Sequence, residues 1–69
     1  MNTIHELIDT TLFHMDWVSS QQGYNFNSLK IAFTYAMIDV EIDHEITPSI
    51  ERAAYHRLIK AYLHTTNKG

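Results

Sequence analysis

The sequence predicts an all-α fold, a small three-helix bundle completed by homodimerisation. Apolar residues recur at intervals of three and four along three segments, and capping or turn residues separate these segments. A chain of 69 residues without cysteine buries only a marginal core by itself, so a second copy is the expected source of further buried surface. The predicted helices span residues 3–21, 28–44 and 48–65 of a single domain, residues 1–69.

The first predicted helix begins with a capping box, in which Thr3 and Glu6 satisfy each other's backbone donors. It ends before Gly23, a residue suited to a C-terminal cap. Its apolar positions form one continuous arc and therefore predict a single core-facing side: Ile4, Leu7, Ile8, Thr11, Leu12, Met15 and Val18.

The second predicted helix has Asn27 as its N-cap, with Phe26 before it as a hydrophobic staple. It carries two apolar stripes on opposite sides, whereas a surface helix needs only one. The pattern therefore predicts a helix covered on both sides, and a dimer formed through this helix, the first helix or both. The first stripe is Leu29, Phe33, Ala36, Met37 and Val40, and the second is Ile31, Tyr35, Ile38 and Ile42.

Residues 38–43 also admit a strand, because apolar and acidic residues alternate there. The alternation lasts six residues, no hairpin turn flanks it, and it continues a segment already at helical spacing. These observations favour the helix.

The third predicted helix is capped by Thr47 and has Pro48 at its first position, where a missing backbone N–H costs nothing. Its predicted core face is Ala54, Tyr55, Leu58, Ile59, Ala61, Tyr62 and Leu63.

Charge is distributed unevenly along the chain, whose formal net charge is −3 with the five histidines neutral. Residues 1–47 carry seven acids against one lysine, and residues 48–69 carry four bases against one acid. No apolar run is long enough for a membrane span, and the polar, acidic N-terminus does not resemble a signal peptide. We therefore expect a cytoplasmic protein that does not contact membranes.

A metal site is the most specific chemical alternative. Glu41 and His44 have the Glu-x-x-His spacing of di-iron carboxylate bundles, and Glu45 is adjacent. Such a site also needs inward-facing acids from the other helices, which the sequence does not supply, so we expect neither a metal nor another cofactor. With no nucleophile motif and no glycine-rich phosphate loop, we expect a protein that is not an enzyme.

The best indication of a partner lies in the first helix. Phe13 and Trp17, four residues apart, fall outside its apolar arc, among the acids Glu6, Asp9 and Asp16. Large aromatic residues on a polar face are typical of interface anchors, and flanking acids would orient the partner. The alternative, that the third helix or the 23–27 loop covers both rings, remains open at this stage. We therefore predict a small regulator, inhibitor or adaptor that binds a larger protein.

A nucleic-acid-binding regulator is the second hypothesis. The outer face of the third helix carries a basic stripe with three members at intervals of four residues, the geometry of a helix that tracks phosphates. The stripe comprises Arg52, His56, Arg57, Lys60 and His64.

Overall fold

The computed structural model describes the backbone of residues 2–68 and the side chains of residues 2–65. The helices are α1 (Thr3–Gln22), α2 (Phe26–Glu41) and α3 (Pro48–Lys68), and residues 2–68 contain no strand. The all-α prediction is confirmed, and the strand alternative for residues 38–43 is wrong. The structure describes one copy of the chain, so the homodimer stays a prediction.

The N-caps of α1 and α2 differ from those predicted. Asn2 caps α1, its side chain accepting a 2.9 Å hydrogen bond from the Ile4 N–H, so Thr3 lies inside the helix. Asn25 caps α2 in the same way, accepting from the Ser28 N–H at 2.9 Å. In both places an asparagine one or two residues upstream is at least as good a cap as the residue predicted. The capping box and the Phe26 staple are therefore wrong.

The end of α1 and the start of α3 lie where the local sequence predicts them. Gly23 terminates α1 with φ +87°, a backbone conformation that favours glycine, and its N–H donates to the Ser19 carbonyl at 2.8 Å. Pro48 begins α3, and the Thr47 hydroxyl accepts from the Ile50 N–H at 3.2 Å. The short connection at residues 23–25 makes α1 and α2 antiparallel neighbours.

The core lies mainly between α1 and α2, because α1 packs more extensively against α2 than against α3. The hydroxyl of buried Thr11 donates to the Leu7 carbonyl at 2.7 Å, which satisfies its polar group inside the core. Within residues 48–65 of α3, two apolar side chains, those of Ala54 and Leu58, are fully buried in the core. The buried apolar residues of the core are Leu7, Met15, Val18, Leu29, Ala32, Phe33, Ala36, Val40, Ala54 and Leu58.

Three residues predicted for the core are exposed instead. Leu12 of α1 is 55% exposed, and in α3 Leu63 is 49% exposed and Ala61 is also exposed. All three lie at the edge of a predicted apolar arc. In a bundle of three helices, the two neighbours of each helix cover only part of its circumference. Residues at the edges of a wide apolar arc therefore remain in contact with solvent.

Candidate functional site

An exposed apolar surface runs along the α1–α2 pair, and we call it the aromatic face. It consists of Phe13 and Trp17 from α1 and Tyr35, Ile38 and Ile42 from α2, with exposed fractions between 41% and 78%. The Trp17 and Tyr35 rings join the two helices, with centroids 5.4 Å apart. Neither α3 nor the 23–27 loop covers Phe13, which is 72% exposed.

The α2 part of the aromatic face is the second of the two predicted stripes. Its half-buried member Ile31 packs against the edge of the core, while Tyr35, Ile38 and Ile42 are 45%, 55% and 78% exposed. Ile42 follows the last residue of α2 but keeps helical angles, φ −60° and ψ −40°, so the stripe is continuous. The first stripe is in the core, which leaves the second without a cover in one copy of the chain.

A hydrogen-bond network fixes the Trp17 ring. The Trp17 indole N–H donates to Nδ1 of His14 at 2.9 Å, and Nε2 of His14 lies 2.5 Å from Oδ2 of Asp39. Because an indole N–H can only donate, Nδ1 must accept, which assigns the ring proton to Nε2 and directs it at the carboxylate. Tyr35 and Phe13 pack against the same imidazole, with centroids 5.8 Å and 5.5 Å away. These contacts hold the Trp17 ring in one orientation within a single copy of the chain.

The acids predicted beside the aromatic residues fall into two groups. Asp9 and Asp16 are exposed on α1, and Asp16 lines the groove that contains Leu12 and Tyr24. Glu6 instead contacts another part of the fold, since its Oε2 lies 2.7 Å from Nε2 of His44. That oxygen is buried. Its contact with His44 joins the connection after α2 to the first turn of α1.

The residues with di-iron spacing do not form a metal site. Glu41 is the last residue of α2 and His44 lies in the connection beyond it, so they do not share a helix face. His44 turns to Glu6. Across the described part of the chain, no three His, Cys, Asp or Glu side chains are grouped as a metal ion requires.

All five residues of the predicted basic stripe are exposed along α3: Arg52, His56, Arg57, Lys60 and His64. The two close contacts between basic and carboxylate side chains among residues 2–65 are His14 with Asp39 and His44 with Glu6, and neither includes an arginine or lysine. The basic stripe is thus presented to solvent, on a different helix from the aromatic face.

Two shallow grooves lie beside Tyr55. One, between α2 and α3, has a volume of about 260 Å³ and is lined by Lys30, Phe33, Thr34, Glu51 and Tyr55. The other has a volume of about 360 Å³ and is lined by Pro48, Glu51, Arg52 and Tyr55. Both are open to solvent, whereas small-molecule sites commonly enclose most of the ligand.

The chain matches no protein-family model, no curated protein and no solved structure. None of the helices within residues 2–68 has the length and apolar character needed to cross a membrane. The sequence-based interpretation missed His14, Tyr35 and Asp39 as parts of the site. Tyr35 was visible in the second stripe, but the contact between His14 and Asp39 joins residues 25 positions apart and has no local signal.

Proposed function

We propose that this chain is a small, non-enzymatic regulator, inhibitor or adaptor of the cytoplasm that binds a larger protein through Phe13 and Trp17, the α1 part of its aromatic face. The observation that supports the proposal most strongly is the exposure of Phe13, 72%, directly beside a tryptophan held by a hydrogen-bond network. A large aromatic residue in water is an unfavourable arrangement, and covering it with a partner supplies binding energy.

The state of Trp17 supports the same interpretation. Interface energy concentrates in a few residues, among which Trp and Tyr are enriched. A ring already fixed by His14 and Tyr35 loses little conformational freedom on binding, which lowers the cost of association. The exposed carboxylates of Asp9 and Asp16 would attract a partner of basic charge and raise its association rate.

Self-association is part of the proposal. The second stripe of α2 leaves apolar side chains in contact with water, and this exposure does not stabilise a monomer of 69 residues. A second copy would cover them and increase the buried area of a marginal core.

Capture of a partner from lysate of the source cells, with tagged wild-type chain as bait, tests the larger proposal. Phe13→Ser should abolish capture of a protein that the wild type retains. Because Phe13 is 72% exposed, the variant should keep its helical circular dichroism. Trp17→Ser should also reduce capture. It is the less specific test, because it removes the ring contact with Tyr35 as well.

Leu12→Ser is the matched control. Leu12 is adjacent in sequence and 55% exposed, but it lies outside the aromatic face, in a shallow groove with Tyr24. Capture that survives Leu12→Ser and fails in folded Phe13→Ser supports the proposal. Equal capture by all three proteins, or no captured protein, contradicts it.

A nucleic-acid-binding regulator is the second candidate, favoured by the exposed basic stripe of α3. Of its members, Arg57 and Lys60 are exposed on adjoining turns, and no ion pair among residues 2–65 neutralises either. Phosphate contacts release counterions, so affinity for nucleic acid should fall steeply as salt rises.

A filter-binding or anisotropy titration at two salt concentrations tests this candidate with a duplex and a single strand. If the stripe binds phosphates, Lys60→Ser weakens binding to all sequences and reduces the salt slope by about 1. Lys30→Ser, which removes an exposed lysine of α2, is the control. Binding that is absent at low salt, or equally weakened by both variants, rules out the stripe.

A further inference from the structure

We infer that the second stripe of α2 is the seam of an antiparallel homodimer, in which α2 of one copy lies along α2 of the other. The inference rests on the self-association included in the proposed function and specifies its geometry. Ile31 lies opposite Ile42 of the partner subunit, and Tyr35 lies opposite Ile38 of the partner subunit. Two-fold symmetry repeats both pairs, which gives four layers of apolar contacts.

The spacing of the stripe supports this register. Ile31, Tyr35, Ile38 and Ile42 are separated by four, three and four residues, the alternation that brings side chains to a helix–helix seam. The intervals read the same in either direction along the chain. A reversed copy therefore matches every layer, as the isologous contact of a two-fold dimer requires.

Charge favours the antiparallel over the parallel arrangement. The N-terminal end of α2 carries Lys30, whereas its C-terminal end carries Asp39 and Glu41 and is followed by Asp43. Antiparallel packing brings the exposed lysine toward the acidic end of the other helix. Parallel packing would place each acid beside its own copy and align the two helix dipoles, both of which are unfavourable.

The exposed area is sufficient for a weak dimer. The stripe alone offers on the order of 400 Å² per copy, so the pair would bury roughly 800 Å², in the range of weak and transient interfaces. The dimer should therefore exchange with the monomer, with a dissociation constant in the micromolar range. Phe13, one turn before Trp17, lies at the edge of the seam and remains available to the larger partner.

Cysteine cross-linking tests the register directly, because the natural chain contains no cysteine. Ile31→Cys and Ile42→Cys are prepared separately, checked for helix by circular dichroism and oxidised alone and mixed. In the antiparallel register the mixture forms a covalent heterodimer. Each variant alone does not, because its two cysteines would lie roughly 16 Å apart, beyond the ~7 Å Cα separation that a disulfide spans. Cross-linking of each variant with itself would show a parallel dimer and overturn the register.

Sedimentation of the unmodified chain from micromolar to about millimolar concentration tests the dimer itself. We expect the mass to rise from 8.1 kDa toward twice that value, and Ile42→Glu to remain monomeric with unchanged helix, because Ile42 is 78% exposed. Leu12→Glu, off the aromatic face, should dimerise as the wild type does. A wild type that stays at 8.1 kDa throughout, or an Ile42→Glu variant that dimerises equally, overturns the inference.

These results separate the dimer from the larger proposal. If Ile42→Glu is monomeric and still captures the partner, partner binding does not require self-association. A cross-linked heterodimer of Ile31→Cys and Ile42→Cys, combined with no effect of Phe13→Ser on capture, would support the dimer and contradict the partner-binding role.

Discussion

The α1–α2 pair and α3 use their apolar side chains in different ways. The α1–α2 pair supplies eight of the ten buried apolar core residues and still exposes a second apolar surface, the aromatic face. The third helix supplies the other two, Ala54 and Leu58, and presents a basic stripe to solvent. The difference indicates that α1 and α2 carry more apolar surface than the fold requires. The excess is therefore where we expect another chain to bind.

The way α3 is attached sharpens this comparison. Besides its two buried residues, α3 packs half-buried isoleucines and tyrosines against the core: Ile50, Tyr55, Ile59 and Tyr62. The Tyr55 ring lies 4.9 Å from that of Phe33, and Tyr62 lies 5.6 Å from Tyr24 and 6.1 Å from Phe26, measured between centroids. Aromatic contacts at the edge thus add to the aliphatic packing of α3.

Removing a core side chain from α1 should have the largest effect. Leu7 is fully buried, and Leu7→Ala should lower the free energy of unfolding by about 2–5 kcal/mol through lost burial and a new cavity. A domain of this size has roughly 3–10 kcal/mol in total, so much of the variant should be unfolded. Urea denaturation followed by circular dichroism measures the change.

Leu12→Ala is the control for that experiment, because Leu12 is on the same helix but 55% exposed. It should change stability by less than about 0.5 kcal/mol. Equal losses in the two variants would contradict the assignment of the core to the Leu7 side of α1.

Loss of an edge contact of α3 should have a smaller effect. Tyr62→Ala removes two ring contacts from a half-buried position and should cost about 1–3 kcal/mol. His64→Ala, an exposed substitution in the same turn region, should leave stability unchanged. A double-mutant cycle with Tyr24→Ala measures the stacking itself, and a coupling energy near zero would show that Tyr62 does not anchor α3 through that ring.

Loss of the His14 acceptor should have the smallest effect, confined to the aromatic face. In His14→Phe the Trp17 indole N–H has no Nδ1 to which it can donate, and it donates to water instead. Trp17 is the single tryptophan, and its emission should shift to the red in this variant.

His5→Phe supplies the comparison, since His5 is an exposed histidine of the same helix. Its emission should match that of the wild type. An emission that is unchanged in His14→Phe would contradict the assignment of Nδ1 as the acceptor for Trp17.

Local sequence predicted the parts of the fold that depend on neighbouring residues alone. The Gly23 terminus and the Thr47–Pro48 start of α3 were predicted correctly because each has one suitable residue type at the required position. The caps at Asn2 and Asn25 were missed because two good capping residues compete within a short stretch, where helix boundaries are uncertain by one or two residues.

The exposed aromatic residues of the candidate site could be predicted from the sequence, but the side-chain contacts between separate segments could not. Phe13 and Trp17 stood out because they interrupt a polar face, a pattern that helical spacing makes visible. The pairing of His14 with Asp39 depends on how α1 and α2 are aligned, which one sequence does not specify. The pairing of Glu6 with His44 likewise depends on how the connection after α2 folds back.

The most direct test of the central claim is the affinity of the captured partner at low and high salt, for wild type beside Phe13→Ser. We predict that the wild-type affinity changes little with salt and that Phe13→Ser weakens binding by at least about 2 kcal/mol at both concentrations, as loss of an aromatic anchor should. An affinity that falls steeply with salt and is the same in Phe13→Ser would contradict the claim and point to the charged surfaces of the chain instead.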